Sequence, residues 1–129
     1  MKLYRLMKID IDGLPLVGKG SMMLGVRPTD PTLTNKRSDV PAILATDLVR
    51  PGDGGLSCYD DPAAIKIQSN TLVLWSIETD KLPATLIAQV AGKAHYHIEP
   101  KSDVALDELQ QRFAETRDHW YREERGDGT

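Results

Sequence analysis

With 129 residues, 40% of them hydrophobic and 5% aromatic, the chain can bury one core built mainly from Leu, Val, Ile, Ala and Met, and it reads as a single domain over 1–129. A formal net charge of −3 excludes a nucleic-acid-coating protein, which needs a concentrated basic face, but leaves room for a local arginine that grips a phosphate. The lone cysteine, Cys58, excludes an internal disulfide and a cysteine-based zinc cluster, and suits a reducing compartment.

Met1 to Arg5 runs straight into alternating sequence without an apolar segment, so no signal peptide is expected. No stretch is long and apolar enough to span a membrane. The expected compartment is the cytoplasm, either of the cell that makes the chain or of a target cell reached through a dedicated secretion machine.

Leu3 to Ile11 alternates and predicts a strand, apolar on both faces at its start, ended by the Asp12-Gly13 turn. Leu14 to Val26 is ambiguous, its apolar residues interrupted by Gly18, Gly20 and Gly25. Arg27 to Pro41, rich in Pro, Thr, Asp and Asn, predicts a long surface loop, and Pro41 to Val49 a short strand or helical turn. The turn Pro51-Gly52-Asp53-Gly54-Gly55 feeds a short strand, Leu56 to Tyr59, after which Asp60 to Ala64 offers an N-cap and a proline for a helical turn. Strands follow at Thr71–Ile77, Leu86–Val90 and His95–Glu99. Ser102-Asp103 then caps a helix predicted over Val104–Glu124, with Leu106, Leu109, Phe113, Trp120 and Tyr121 on one stripe, and the tail from Gly126 is expected to fray. The fold class is α+β: an antiparallel-rich β-sheet with a C-terminal amphipathic helix.

In a strand, side chains two apart share a face, so His95, His97 and Glu99 point one way and Tyr96 and Ile98 the other. His-x-His can present two imidazoles to one metal, but the flanking glycines and later acid of a cupin site are missing, so a solvated sheet face is the better reading and no metal is expected. Neither Gly52–Gly55 nor Gly18-Lys19-Gly20-Ser21 has the strand–glycine–helix setting of a nucleotide fingerprint; both read as turns. Ser57 could act as a nucleophile with His95 or His97 as base, although no strand–elbow–helix surrounds it. Trp75 and Trp120 read as core.

Three blocks in order, Leu3-Tyr4-Arg5, Pro51-Gly-Asp-Gly-Gly-Leu-Ser57-Cys-Tyr59 and His95-Tyr-His-Ile-Glu-Pro100, resemble the cytoactive effector toxins delivered by bacterial type VI secretion, whose fold is similar to that of ADP-ribosyltransferases. The resemblance covers the first strand and Pro51 to Arg122, with Asp80-Lys-Leu-Pro83 similar to the family's connection into its late strands. It implies a single ADP-ribosyltransferase-like toxin domain that takes NAD as substrate, with a cognate immunity or antitoxin protein and a target macromolecule as partners. By position, Ser57, His95 and Arg5 match the family's serine after the double glycine, its late-strand histidine and its first-strand arginine. Leu56 stands where the family has a hydroxyl residue, and Glu99 where it is apolar.

With that reading, Arg5 would clamp a phosphate, Ser57 would line the pocket or bond the nicotinamide-side ribose, and Tyr59 or Tyr96 would stack on nicotinamide. Glu99, on the face of His95, would supply the carboxylate that favours positive charge developing on the ribose. The catalytic set is thus Ser57, His95 and Glu99, and the cofactor-binding set Arg5, Tyr59 and Tyr96. Two other classes compete: a non-catalytic interaction module with a toxin fold, and a His-x-His metalloprotein. Without the resemblance, Arg5 reads as a surface ion pair and Ser57 as a strand-edge serine.

Overall fold

The computed structural model describes residues 1–33, 37–66 and 69–124. Its strands are β1 (Lys2–Met7), β2 (Leu48–Val49), β3 (Leu56–Tyr59), β4 (Val73–Glu78), β5 (Leu86–Gly92), β6 (His95–Pro100) and β7 (Val104–Ala105), followed by the helix α1 (Leu106–Glu115) and the strand β8 (Tyr121–Glu123). Six strands form one sheet in the order β5-β6-β3-β1-β4-β8, every pair antiparallel, and β2 pairs with β7 in a separate two-stranded ribbon. The α+β class and antiparallel sheet expected from alternation are therefore present.

One sheet face carries Leu3, Met7, Leu56, Cys58, Trp75, Ile77 and Ile98, which join Leu106, Leu109 and Phe113 of α1 in one buried cluster. Alternation explains this division, because apolar residues at i and i+2 of each strand fall on the helix side. Burying Phe113, at 1% exposure, ties the helix to the sheet. The indole of Trp75 donates to the Met7 carbonyl at 3.3 Å, so its one polar atom is satisfied inside the core.

Several boundaries differ from expectation. β1 ends at Met7 rather than Ile11, because the turn at Asp10–Gly13 turns the chain back and leaves Ile11 fully exposed. The ambiguous stretch from Leu14 to Val26 is an irregular loop tied by Leu16 N–H to Lys8 O (3.0 Å) and Leu24 N–H to Leu16 O (2.8 Å), burying Leu24 and Val26. The loop from Arg27 to Pro41 is irregular as expected where it is described, with residues 34–36 outside the described set, but it buries Val40. The tail from Gly126 also lies outside the described residues.

The largest correction concerns the last helix, expected over Val104–Glu124. Val104 and Ala105 pair with Val49 and Leu48 instead, and the first helical N–H groups, of Leu106 and Asp107, find the carbonyls of Asp47 (2.9 Å) and Ala45 (3.0 Å) rather than a cap at Ser102-Asp103. At the other end Thr116 Oγ1 donates back to Phe113 O at 2.7 Å and accepts the Trp120 indole N–H at 2.9 Å, closing the helix. Tyr121 to Glu123 then pair along β4, satisfying an edge that would otherwise be bare, and Tyr121 is exposed rather than on the buried stripe.

Candidate functional site

The sheet is not uniformly knitted. β1 pairs with β4 over six residues and β3 with β6 over four, but β1 and β3 share a single registered pair, Tyr4 with Tyr59. From that point the two strands part. Arg5 bridges the opening: its Nη1 donates to the Ser57 carbonyl and its Nη2 to the Met23 carbonyl, both at 2.9 Å.

The position of Ser57 follows from the double glycine before it. Gly54 has φ +124, and a Cβ there would strike the Asp39 carbonyl oxygen; a Cβ on Gly55 would strike the carbonyl of Ile98. Only bare backbone lets the turn drop onto β6 and start β3 in register, Ser57 opposite His97 and Tyr59 opposite His95. Ser57, Tyr59, His95 and His97 consequently share the face away from the buried cluster.

On that face Ser57 Oγ lies 2.6 Å from His95 Nε2. Tyr59 stacks on the His95 ring with centroids 4.9 Å apart, and His97 meets it edge-on at 5.0 Å. Partial burial, and after it the neighbouring His97, push the His95 imidazole below its ordinary value, so the ring is neutral at pH 7. In the tautomer with Nε2 bare, Ser57 O–H donates to it, the arrangement of a hydroxyl held by a base.

The sequence-based site residues therefore separate. Arg5, Ser57 and His95, from three strands, are joined in one hydrogen-bonded series, with Tyr59 against it. Tyr96 lies on the opposite face of β6, packed against the buried cluster, because it alternates with His95; it cannot stack on a ligand held by Ser57 and His95. Glu99 shares their face but is four residues along the strand, about 13 Å from His95. It is 7% exposed, and its Oε1 accepts the Gly52 N–H at 3.1 Å, so its carboxylate steadies the turn that delivers β3. Arg5 is no surface ion pair: it is 8% exposed, no carboxylate of the described residues bonds it, and its Nε has no acceptor there. Burial lowers its pKa from the usual arginine value. With Nη1 and Nη2 each held by a carbonyl, Arg5 braces the site and is not free to embrace a phosphate.

A cavity of about 250 Å³ opens beside the parted strands, with Arg5, Ser57, Tyr59, Met22, Arg27 and Lys66 in its wall. Sequence reading missed Arg27, Arg37 and Lys66 here, since residues in irregular loops carry no periodicity to aim them. Met22, with φ +59, shows that the loop is held in a conformation costly for a side-chain-bearing residue. Cys58 faces the other way, into the core, and burial pushes its thiol up to about 12, so it offers no nucleophile.

No protein-family model, curated protein or solved structure matches this chain. The functional reading accordingly rests on geometry and chemistry. Among the described residues no three His, Cys, Asp or Glu side chains are gathered as a metal would require, and no helix is long and apolar enough to cross a membrane.

Proposed function

We propose that this chain is a small toxin with an ADP-ribosyltransferase-like fold that consumes NAD in the cytoplasm of a target cell, using Ser57 and His95. The observation that carries the reading is the series Arg5–Ser57–His95, drawn from three strands, with Arg5 and Ser57 in the wall of a cavity where the sheet opens and His95 joined to that wall through Ser57 Oγ. Cleaving NAD breaks the bond from ribose C1′ to the nicotinamide nitrogen. Nicotinamide leaves as a neutral molecule with the electron pair, and C1′, carrying developing positive charge, takes the oxygen of water or of a nucleophile on a target macromolecule. Neutral His95 receives that acceptor's proton through Ser57, whose oxygen faces the ribose. Tyr59 offers a ring surface at the cavity wall for nicotinamide.

A cavity of this size falls just below the roughly 300–1,000 Å³ of sites that enclose a small molecule, so it takes the reacting end of NAD and leaves the remainder in the adjoining groove. Glu99, anchored at the Gly52 turn, serves here by holding β3 in place. Delivery by type VI secretion and a cognate immunity protein belong to the same proposal, as does the target macromolecule.

Intracellular expression tests it. Wild-type chain should arrest growth with loss of cellular NAD, while Ser57→Ala and His95→Ala should abolish both and melt within a few degrees of wild type. Glu99→Gln, which keeps an acceptor oxygen for Gly52, should retain most NAD loss. Growth arrest that persists in Ser57→Ala without NAD loss would support the second reading, a toxin-fold module that acts by binding; among the described residues no carboxylate is hydrogen-bonded to Ser57 or His95, which favours that alternative.

A further inference from the structure

The cavity at the strand opening has an unusual electrical character for an acidic chain. Arg5, Arg27, Arg37 and Lys66 line it against a single carboxylate, Asp39. That carboxylate is already held by Arg27, through Nε to Oδ2 and Nη2 to Oδ1, both at 3.1 Å, and by the Arg27 N–H at 2.7 Å. Arg37 and Lys66 have no hydrogen-bond or ion-pair partner among the described residues and stand exposed at the rim. Inside, Arg5 adds a buried cation whose Nε lacks an acceptor. A second cavity of about 200 Å³ shares Ser21, Arg27 and Arg37 with the first and adds Lys19 and one carboxylate, Asp30, so the two form one trough whose shared wall is cationic.

A scatter of solvated surface cations is the ordinary explanation for charged side chains. It does not explain why cations from four separate segments converge on one concavity when the chain holds 19 Asp and Glu against 16 Lys and Arg. Like charges gathered around a recess of low dielectric repel one another, and an anion relieves that repulsion.

We infer that this trough binds the diphosphate of a nucleotide, with Arg37 and Lys66 as its direct ligands and Arg27, pre-oriented by Asp39, as the third. Arg37 presents a planar fork suited to two phosphate oxygens, Lys66 a mobile point charge at the rim, and Ser21, in the wall of both cavities, a hydroxyl. A diphosphate at the shared wall leaves one nucleoside in each cavity, one of them beside Ser57 and Tyr59. This assignment replaces Arg5 as phosphate ligand. It rests on the proposed NAD reading only for which nucleotide is bound; the anion site stands on the cations alone.

Calorimetric titration of the intact protein with inorganic pyrophosphate, ADP-ribose and phosphate-free nicotinamide riboside tests it. Pyrophosphate and ADP-ribose should bind, more weakly as salt rises, and nicotinamide riboside should not. Arg37→Ala and Lys66→Ala should each weaken ADP-ribose binding roughly tenfold without lowering the melting temperature, because both side chains are exposed. ADP-ribose binding lost in Arg37→Ala and Lys66→Ala, in a protein that never consumes NAD, would leave this site standing while removing the enzymatic reading. Wild-type failure to bind either phosphate-bearing ligand, or unchanged binding by the Arg37→Ala/Lys66→Ala double variant, would overturn the inference even if NAD were consumed.

Discussion

His95 is held 2.6 Å from Ser57 Oγ, and its depressed pKa has a defined consequence for pH. A histidine whose folded-state value lies below its unfolded value of about 6.5 contributes stability that is fully present above about pH 6.5 and lost as pH falls through the folded value. The same shift keeps the ring basic where an ordinary histidine is half protonated. Initial rates of NAD loss should therefore fall on the acid side with a midpoint below about pH 6.5, following a single group. An acid limb centred above about pH 6.5 would exclude His95 as the base. Alternation along two strands made the convergence of Ser57 and His95 legible beforehand, since both residues sit on the same face once the strands pair. Arg5 alternates with Leu3 and Met7 toward the buried side of the sheet, so alternation did not aim it at Ser57 and His95, and its role was not legible either: its acceptors are the carbonyls of Ser57 and Met23, and a main-chain acceptor leaves no trace in residue types.

Among the elements, α1 and the Gly54-Gly55 turn carry the most weight. Phe113→Ala should cost about 3–5 kcal/mol by chemical denaturation, because the side chain is fully enclosed between helix and sheet. Gly55→Ala should also destabilise, since the added methyl meets the Ile98 backbone rather than a yielding side chain, and should lower activity by shifting Ser57 away from His95. Unchanged stability in either variant would contradict this packing. The start and end of α1 show the limit of local signals. Ser102-Asp103 has the chemistry of a cap, yet the helix starts three residues later, where backbone carbonyls of Asp47 and Ala45 supply the acceptors. Trp120 lies seven residues from Phe113 and fits a helical stripe, but it reaches the core from a turn, anchored by Thr116. Both outcomes depend on segments distant in sequence: β2 for the start, and the bare edge of β4 for the end.

Across the whole molecule, the antiparallel sheet joins residues separated by 90 positions, as with Arg5 and His95 linked through Ser57. The single registered pair between β1 and β3 turns the middle of the sheet into an opening, and the irregular loops bring Arg27, Arg37 and Lys66 to its rim. Sheet class and strand order along the chain were readable from alternation; this opening was not, because it is a property of how two strands fail to pair. The most direct measurement is NAD consumption by purified protein, with released nicotinamide quantified for wild type and His95→Ala and the melting temperature of each recorded. Wild type is expected to release nicotinamide, and His95→Ala to lose at least about 100-fold in rate, the scale of a removed general base, with its melting temperature little changed. Nicotinamide release by His95→Ala at the wild-type rate, or none from a well-folded wild-type chain, would contradict the assignment of this site to NAD.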